Sequence, residues 1–214
     1  MIRRMFTRNH STNQEAGPTE STVPEKGMLV RRGTLAELRR HLPADRNDFV
    51  RWYQDPDIAV LLRHDLQPLT TNQARGYFDS IVLPASAAGT AWAIHDIVSG
   101  NLLGTTAVTQ IDHIAGTCLF RIVIGEKQAW GHGFGTDATR LVIAEVFETL
   151  GLDAVHLEVF DHNPRARHVY ERLGFVETGR TVEWARTTRL DVIAMELRKS
   201  SWERAAEGHT PSGG

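Results

Sequence analysis

Gln128-Ala129-Trp130-Gly131-His132-Gly133-Phe134-Gly135-Thr136 carries three glycines at alternate positions between two stretches of opposite periodicity. Before it, Cys118, Phe120, Ile122 and Ile124 alternate as a β-strand does. After it, Ala138, Leu141, Val142, Val146 and Leu150 recur at helical spacing. A glycine-rich turn from strand to helix leaves several backbone N–H groups unpaired, with the positive end of the helix behind them. Such a turn is a ready seat for a phosphate or diphosphate. Glycine also admits a ligand to the backbone where a Cβ would block it. The function is expected at this turn.

Three kinds of glycine loop compete for the stretch. A nucleoside-triphosphate loop needs Gly-x4-Gly-Lys-Ser/Thr, and Phe134-Gly135-Thr136 offers no lysine. A dinucleotide fingerprint needs Gly-x-Gly-x-x-Gly inside a strand–helix–strand unit. Here the glycines fall at 131, 133 and 135, and three strand-like runs precede them: Thr90–Ile97, Asn101–Ile111 and Gly116–Ile124. Their connections, Val98-Ser99-Gly100 and Asp112-His113-Ile114-Ala115, are of hairpin length, so an antiparallel meander feeds the loop. That argues against a doubly wound nucleotide fold.

The third kind of loop is carried by a resemblance. Gln128-x-x-Gly131-x-Gly133 resembles the Gln/Arg-x-x-Gly-x-Gly/Ala signature of the GNAT superfamily of acyl-CoA-dependent N-acetyltransferases. A second block agrees: Leu157-Glu158-Val159-Phe160, then Asn163-Pro164-Arg165-Ala166, then Tyr170-Glu171-Arg172-Leu173-Gly174-Phe175. It is similar to the Asn-x-x-Ala-x-x-x-Tyr-x-x-x-Gly-Phe segment of the group that acetylates ribosomal-protein N-termini, and of its small-molecule relatives. The resemblance covers about Gly27 to Lys199. It implies that Gln128, Ala129, Trp130, Gly131, His132, Gly133, Phe134, Gly135 and Thr136 cradle the diphosphate of coenzyme A. It also implies that Ile122, Val123 and Ile124 offer backbone groups to the pantetheine arm where the central strands splay apart, and that Asn163 hydrogen-bonds that arm.

The chemistry sets two proton problems. An alkylammonium, with a pKa of about 10, must lose a proton before it attacks, and a thiolate leaves more easily if it gains one. A carboxylate or histidine suits the first role and a tyrosine the second. Glu158 and Tyr170 lie twelve residues apart across one strand–helix connection, so they can converge at the end of that strand. The resemblance implies Glu158 as base and Tyr170 as acid; His113 and His156 are reserve bases. Asn163 before Pro164 is also a favoured helix start, and a cap uses the side-chain oxygen while leaving its nitrogen to donate. Arg165 and Arg167 are candidates to reach coenzyme phosphates. Cys118 sits mid-strand among apolar neighbours with no histidine placed to activate it, so direct transfer in a ternary complex is expected rather than an acetyl-enzyme.

Composition bounds the rest. The chain has 214 residues, a formal net charge of −2 and no apolar run long enough to cross a membrane. Neither nucleic acid nor a membrane is expected as a partner. The single cysteine excludes an internal disulfide and suits a reducing cytoplasm. Ten histidines suggest metal, yet no His/Cys cluster has ligand spacing, so no metal is expected.

Residues 1–26 and 200–214 are polar and poor in aromatics, and read as a disordered N-terminal and a flexible C-terminal tail around an acetyltransferase domain at 27–199. Within it, a strand over Leu29–Leu38 is expected, then a helix from Pro43 interrupted at Asp55-Pro56, and a second helix capped at Thr70 and carrying Tyr77, Phe78, Ile81 and Val82. Strands at Ala154–Phe160, Phe175–Thr178 and Thr188–Leu197, with a helix at Pro164–Leu173, complete a mixed α/β fold. Its central sheet is mostly antiparallel and flanked by helices. Acetyl-CoA is the expected cosubstrate and an amine the acceptor, either a peptide N-terminus or a small molecule, with a homodimer left open. The alternative is an acyl-CoA-binding regulatory module without turnover.

Overall fold

The hairpin-length connections of the meander decide the middle of the sheet. In a computed structural model that describes residues 26–207, β3 (Ala91–Asp96), β4 (Leu102–Asp112) and β5 (Thr117–Ile124) pair antiparallel in sequence order. On one side of them lie β1 (Leu29–Arg32) and β2 (Ala36–Arg39); on the other lie β6 (Ala154–Phe160), β8 (Thr188–Arg198) and the edge strand β7 (Val176–Ala185). The eight strands form one sheet in the order β1-β2-β3-β4-β5-β6-β8-β7. Among the described residues only β5 and β6 pair in parallel. The helix α5 (Phe134–Ala144), extended by a π-helical turn over Glu145–Thr149, supplies the crossover that a parallel pair requires.

Each face of the sheet is covered. α1 (Arg46–Tyr53), α2 (Pro56–Leu62), α3 (Thr71–Tyr77) and α4 (Leu83–Ala88) lie on one face, burying Phe49, Trp52, Tyr53, Ile58 and Phe78 together with Val123 of β5. α5 and α6 (Pro164–Arg172) lie on the other, burying Val142, Val146 and Tyr170 with Cys118 and Phe120 of β5 and Val155, Leu157 and Val159 of β6. The alternation of β5 and β6 therefore assigns their side chains to faces. Arg121 and Glu158 fall on the α1–α4 face.

Local signals explain most boundaries. Thr70 caps α3 in a capping box, its hydroxyl accepting the Gln73 amide while the Gln73 side chain accepts from the Thr70 amide. Asp55 caps α2 through the Asp57 amide, and Pro56 fits the first helical position. Between α3 and α4 the π-helical turn Phe78–Val82 precedes Pro84, which cannot donate to the turn before it, and Gly89 (φ +88°) ends the run.

Three expectations need correction. Leu29–Leu38 is not one strand: it turns at Gly33-Thr34, because the buried carboxylate of Asp137 in α5 gathers the amides of Thr34 (3.0 Å), Leu35 (2.8 Å) and Ala36 (2.9 Å) onto one oxygen. Gly33 is required there, since a Cβ would stand 2.3 Å from that oxygen. The strand expected at Phe175–Thr178 runs instead through Val176–Ala185; it is exposed on both faces, so no apolar alternation marks it, and β8 alone holds its register. The flexible tail expected from residue 200 begins as α7 (Lys199–Glu207), with Trp202 packed on the core. The disordered tail expected over residues 1–26, apart from Lys26, and the stretch 208–214 lie outside the described residues.

Asp137→Ala is expected to lower unfolding free energy by about 3–5 kcal/mol, because it removes the acceptor for three amides at once, one of them fully buried. Urea unfolding checks this; a loss under about 1 kcal/mol would mean that water replaces the carboxylate without cost.

Candidate active site

β5 and β6 stay paired for only three positions, Thr117↔Ala154, Cys118↔Val155 and Leu119↔His156. Beyond them β5 keeps β4 as its strand neighbour as far as Ile124, and β6 keeps β8 as far as Phe160. The strands splay, and the gap between them opens into a cleft of about 370 Å³. The backbone of Ile122, Val123 and Ile124 along this edge has no strand partner on the β6 side. The Ile124 carbonyl already accepts the Trp130 indole N–H at 2.7 Å, so Trp130 fixes the mouth of the loop.

The glycine loop closes one end. Gly131 (φ +80°) and Gly133 (φ +90°) hold the left-handed conformation that a side chain resists, and Gly133 caps α5. The first helical bond is Asp137 N–H to the Gly133 carbonyl at 3.0 Å. The amides of Gly131 through Thr136 therefore have no protein acceptor among the described residues. Six unpaired amides at the positive end of a helix form an anion seat. Ala129, Trp130, Gly131, Gly133, Gly135 and Thr136 line the cleft. Gln128, His132 and Phe134 do not: Gln128 donates to Glu126 at 3.1 Å, and Phe134 packs inward against the core. The side chains of these three do not line the cleft, although the amides of His132 and Phe134 belong to the unpaired run.

On the α5–α6 face, Asn163 accepts the Ala166 amide at 3.2 Å through Oδ1, which leaves Nδ2 to donate into the cleft it lines. Arg165 lies over the Trp130 ring at 4.0 Å, beside the loop. Arg167 is bonded to Glu171 at 2.8 Å and stands 3.5 Å from Asp161, outside the lining. Tyr170 is buried, with Phe120 edge-on at 6.3 Å and Phe175 tilted at 5.7 Å, and it lines the cleft. Burial pushes its hydroxyl well above the usual phenol range, so it stays protonated at neutral pH.

On the opposite face Glu158 is exposed within the lining and makes no hydrogen bond or ion pair among the described residues. The same lining holds Ile58, Leu61 and Leu62 of α2 with Phe160 and Val192. His64 packs edge-on to Phe160 at 5.2 Å and bonds to Glu183. Of the reserve bases, His156 sits 3.7 Å from Glu196 and His113 is exposed in a turn; neither lines the cleft. Trp52 and Tyr53 are core residues, and Asp55 and Asp57 hold Lys127 at 2.7 and 2.6 Å.

Sequence reasoning missed Arg121, which lines the cleft on the Glu158 face. Its signal was available: it is the one charge in the otherwise apolar run Cys118–Ile124. Cys118 is buried away from the opening, and desolvation pushes its thiol up to about 12, so thiolate is scarce at neutral pH. Cys118→Ala should keep acetyl-transfer kcat within about twofold while costing about 1 kcal/mol of packing. A kcat collapse in the folded variant would bring the covalent route back.

Among the described residues, no helix is long and apolar enough to cross a membrane, and no cluster of three metal-ligating side chains occurs.

Comparison with known proteins agrees with this architecture. The model of the Acetyltransferase (GNAT) domain matches residues 36–176. A spermidine N(1)-acetyltransferase of Vibrio cholerae serotype O1 is 35% identical over 83 residues, 39% of this chain and 47% of that protein. Its namesake from Escherichia coli K12 is 31% identical over 80 residues, 37% of this chain and 42% of that one. The match thus spans about half the length of these relatives. Among solved structures, a Vibrio cholerae spermidine N-acetyltransferase in complex with CoA and spermine superposes with a TM-score of 0.68 at 22% identity, covering 78% of this chain and 98% of that one. A GNAT-family acetyltransferase from Bacillus anthracis gives 0.69 at 12% identity, covering 81% and 99%. At such identity these two speak to the fold alone. The family model spans most of the sheet, the glycine loop and the Asn163–Tyr170 block, and the chain belongs to the GNAT acetyltransferase family.

Proposed function

We propose that this chain is an acetyl-CoA-dependent N-acetyltransferase that moves an acetyl group to a primary amine by direct transfer. One observation carries the reading: a single gap through the sheet is lined by unpaired loop amides and Tyr170 on one face and by Glu158 on the other. The thioester enters from the α5–α6 side, its diphosphate on the amides of Gly131–Thr136 and its arm along Ile122–Ile124 and Asn163. The amine enters from the α1–α4 side.

The neutral amine attacks the thioester carbonyl, the N–C bond forms, and the C–S bond then breaks with its electron pair on sulfur. Glu158, directly or through water, takes the proton that nitrogen sheds. The Tyr170 hydroxyl donates toward the departing sulfur. A phenol held above its usual range is a weaker acid than a thiol, so it acts at the transition state, where charge on sulfur is developing.

Because relatives are named for spermidine, polyamines are tried as acceptors beside peptide N-termini and other amines. Thiol release from acetyl-CoA across an amine panel tests the reading, with amide product measured in parallel. Tight acetyl-CoA binding with no amine-stimulated thiol release would favour a non-catalytic acyl-CoA-binding module instead.

A further inference from the structure

The acceptor face of the cleft holds two opposite charges in register. The last paired position is Leu119↔His156, so Arg121 and Glu158, two residues further along each strand, stand opposite one another where the strands have parted. Both lie on the α1–α4 face and both line the cleft. Paired strands are about 4.8 Å apart, and the gap widens beyond that distance. Neither side chain makes an ion pair with the other, or with any other described residue. An unpaired guanidinium and an unpaired carboxylate, facing each other over an opening between apolar walls, are complementary to a zwitterion.

We infer that the acceptor is an amine carrying its own carboxylate on an apolar body: a free apolar α-amino acid, acetylated on its α-nitrogen. The inference rests on the acetyl-transfer reading above. Glu158 meets the amine, as the base must. Arg121 offers a planar fork that matches a carboxylate. Leu61, Leu62, Phe160 and Val192 receive the side chain.

The same inventory argues against a polyamine. Among the described residues Glu158 is the only acid in the lining, and on its face it stands against Arg121. The neighbouring acids are already engaged: Asp55 and Asp57 by Lys127, Glu183 by His64, and Asp161 by Arg167 and Arg180. A trication entering here meets one carboxylate, with one guanidinium opposite it.

The test compares kcat/KM for L-leucine and L-phenylalanine with leucinamide, with isoamylamine and phenethylamine, and with spermidine. The amino acids should lead their amide and decarboxylated analogues by at least about tenfold, because loss of the carboxylate leaves Arg121 unpaired. In Arg121→Gln that lead should fall to near parity, mainly through a raised KM for the amino acid, while Arg121→Lys keeps part of it. Arg121 is exposed, so both variants should fold. Calorimetry should give the glutamine variant wild-type affinity for coenzyme A; a drop would reassign Arg121 to the cofactor and overturn the inference. Preference for spermidine, or equal use of the amide, would also overturn it and leave the transfer reading standing. No amine-stimulated thiol release with any of these compounds would sink both.

Discussion

Tyr170→Phe should lower kcat by at least about tenfold, and by as much as about 10⁴-fold, with acetyl-CoA affinity close to wild type. The substitution keeps the ring between Phe120 and Phe175 and removes only the oxygen, so folding stability should change little. That separates the chemical role from the packing role, which the two aromatic contacts alone would explain. Burial favours the neutral phenol, so the donor is present at and below neutral pH and up to the ordinary phenol range near pH 10. The loss should therefore be the same at pH 6 and pH 8. An acyl donor with a more acidic leaving thiol should recover part of the rate, since its sulfur needs the proton less. Wild-type turnover by the variant, with chemistry shown to be limiting, would leave Tyr170 as a core aromatic only.

Gly131→Val should raise the dissociation constant for acetyl-CoA by about thirtyfold or more, equivalent to about 2 kcal/mol or the loss of one charge-assisted hydrogen bond. A Cβ at Gly131 meets no protein atom within 4 Å, so the space it would fill is open to a ligand. What the protein itself loses is the strain of a left-handed φ, on the order of 1–2 kcal/mol. Gly151 supplies the control: its φ is +67°, a Cβ there also meets nothing, and it lies outside the cleft. Gly151→Val should cost comparable stability and leave affinity unchanged. Gly133→Val should impair binding too, with added strain from Leu35 Cδ1 at 3.0 Å. If Gly131→Val and Gly151→Val bind acetyl-CoA equally well, the loop is not the anion seat.

The glycine loop, the meander before it and the helix after it were legible because each rests on a local cause. Strand alternation, hairpin-length turns and the three-residue reach of Thr70 to Gln73 are all written within one element. Asn163 could be assigned two compatible roles from chemistry alone, because a cap uses only the oxygen of its amide. Gln128, His132 and Phe134 were expected with the rest of their motif, but their side chains do not line the cleft: Gln128 bonds to Glu126 and Phe134 packs on the core.

What failed depends on partners distant in the chain. The turn at Gly33 exists because Asp137 holds it from more than a hundred residues away. β7 persists as a strand because β8 pairs with it, not through any burial of its own. Trp202 orders the start of a stretch whose composition is that of a tail.

The sequence by itself determined the family resemblance, the mixed sheet and the residue types able to cradle a diphosphate and move two protons. Spacing and side-chain chemistry are local properties, and they survive without a fold. Only the tertiary structure decided that β5 and β6 part after Leu119 and His156. The two cores packed on opposite faces then put Tyr170 on one side of that gap and Glu158 with Arg121 on the other. Side-chain parity along each strand is readable from the chain, but the place where two strands stop pairing is set by everything packed against them.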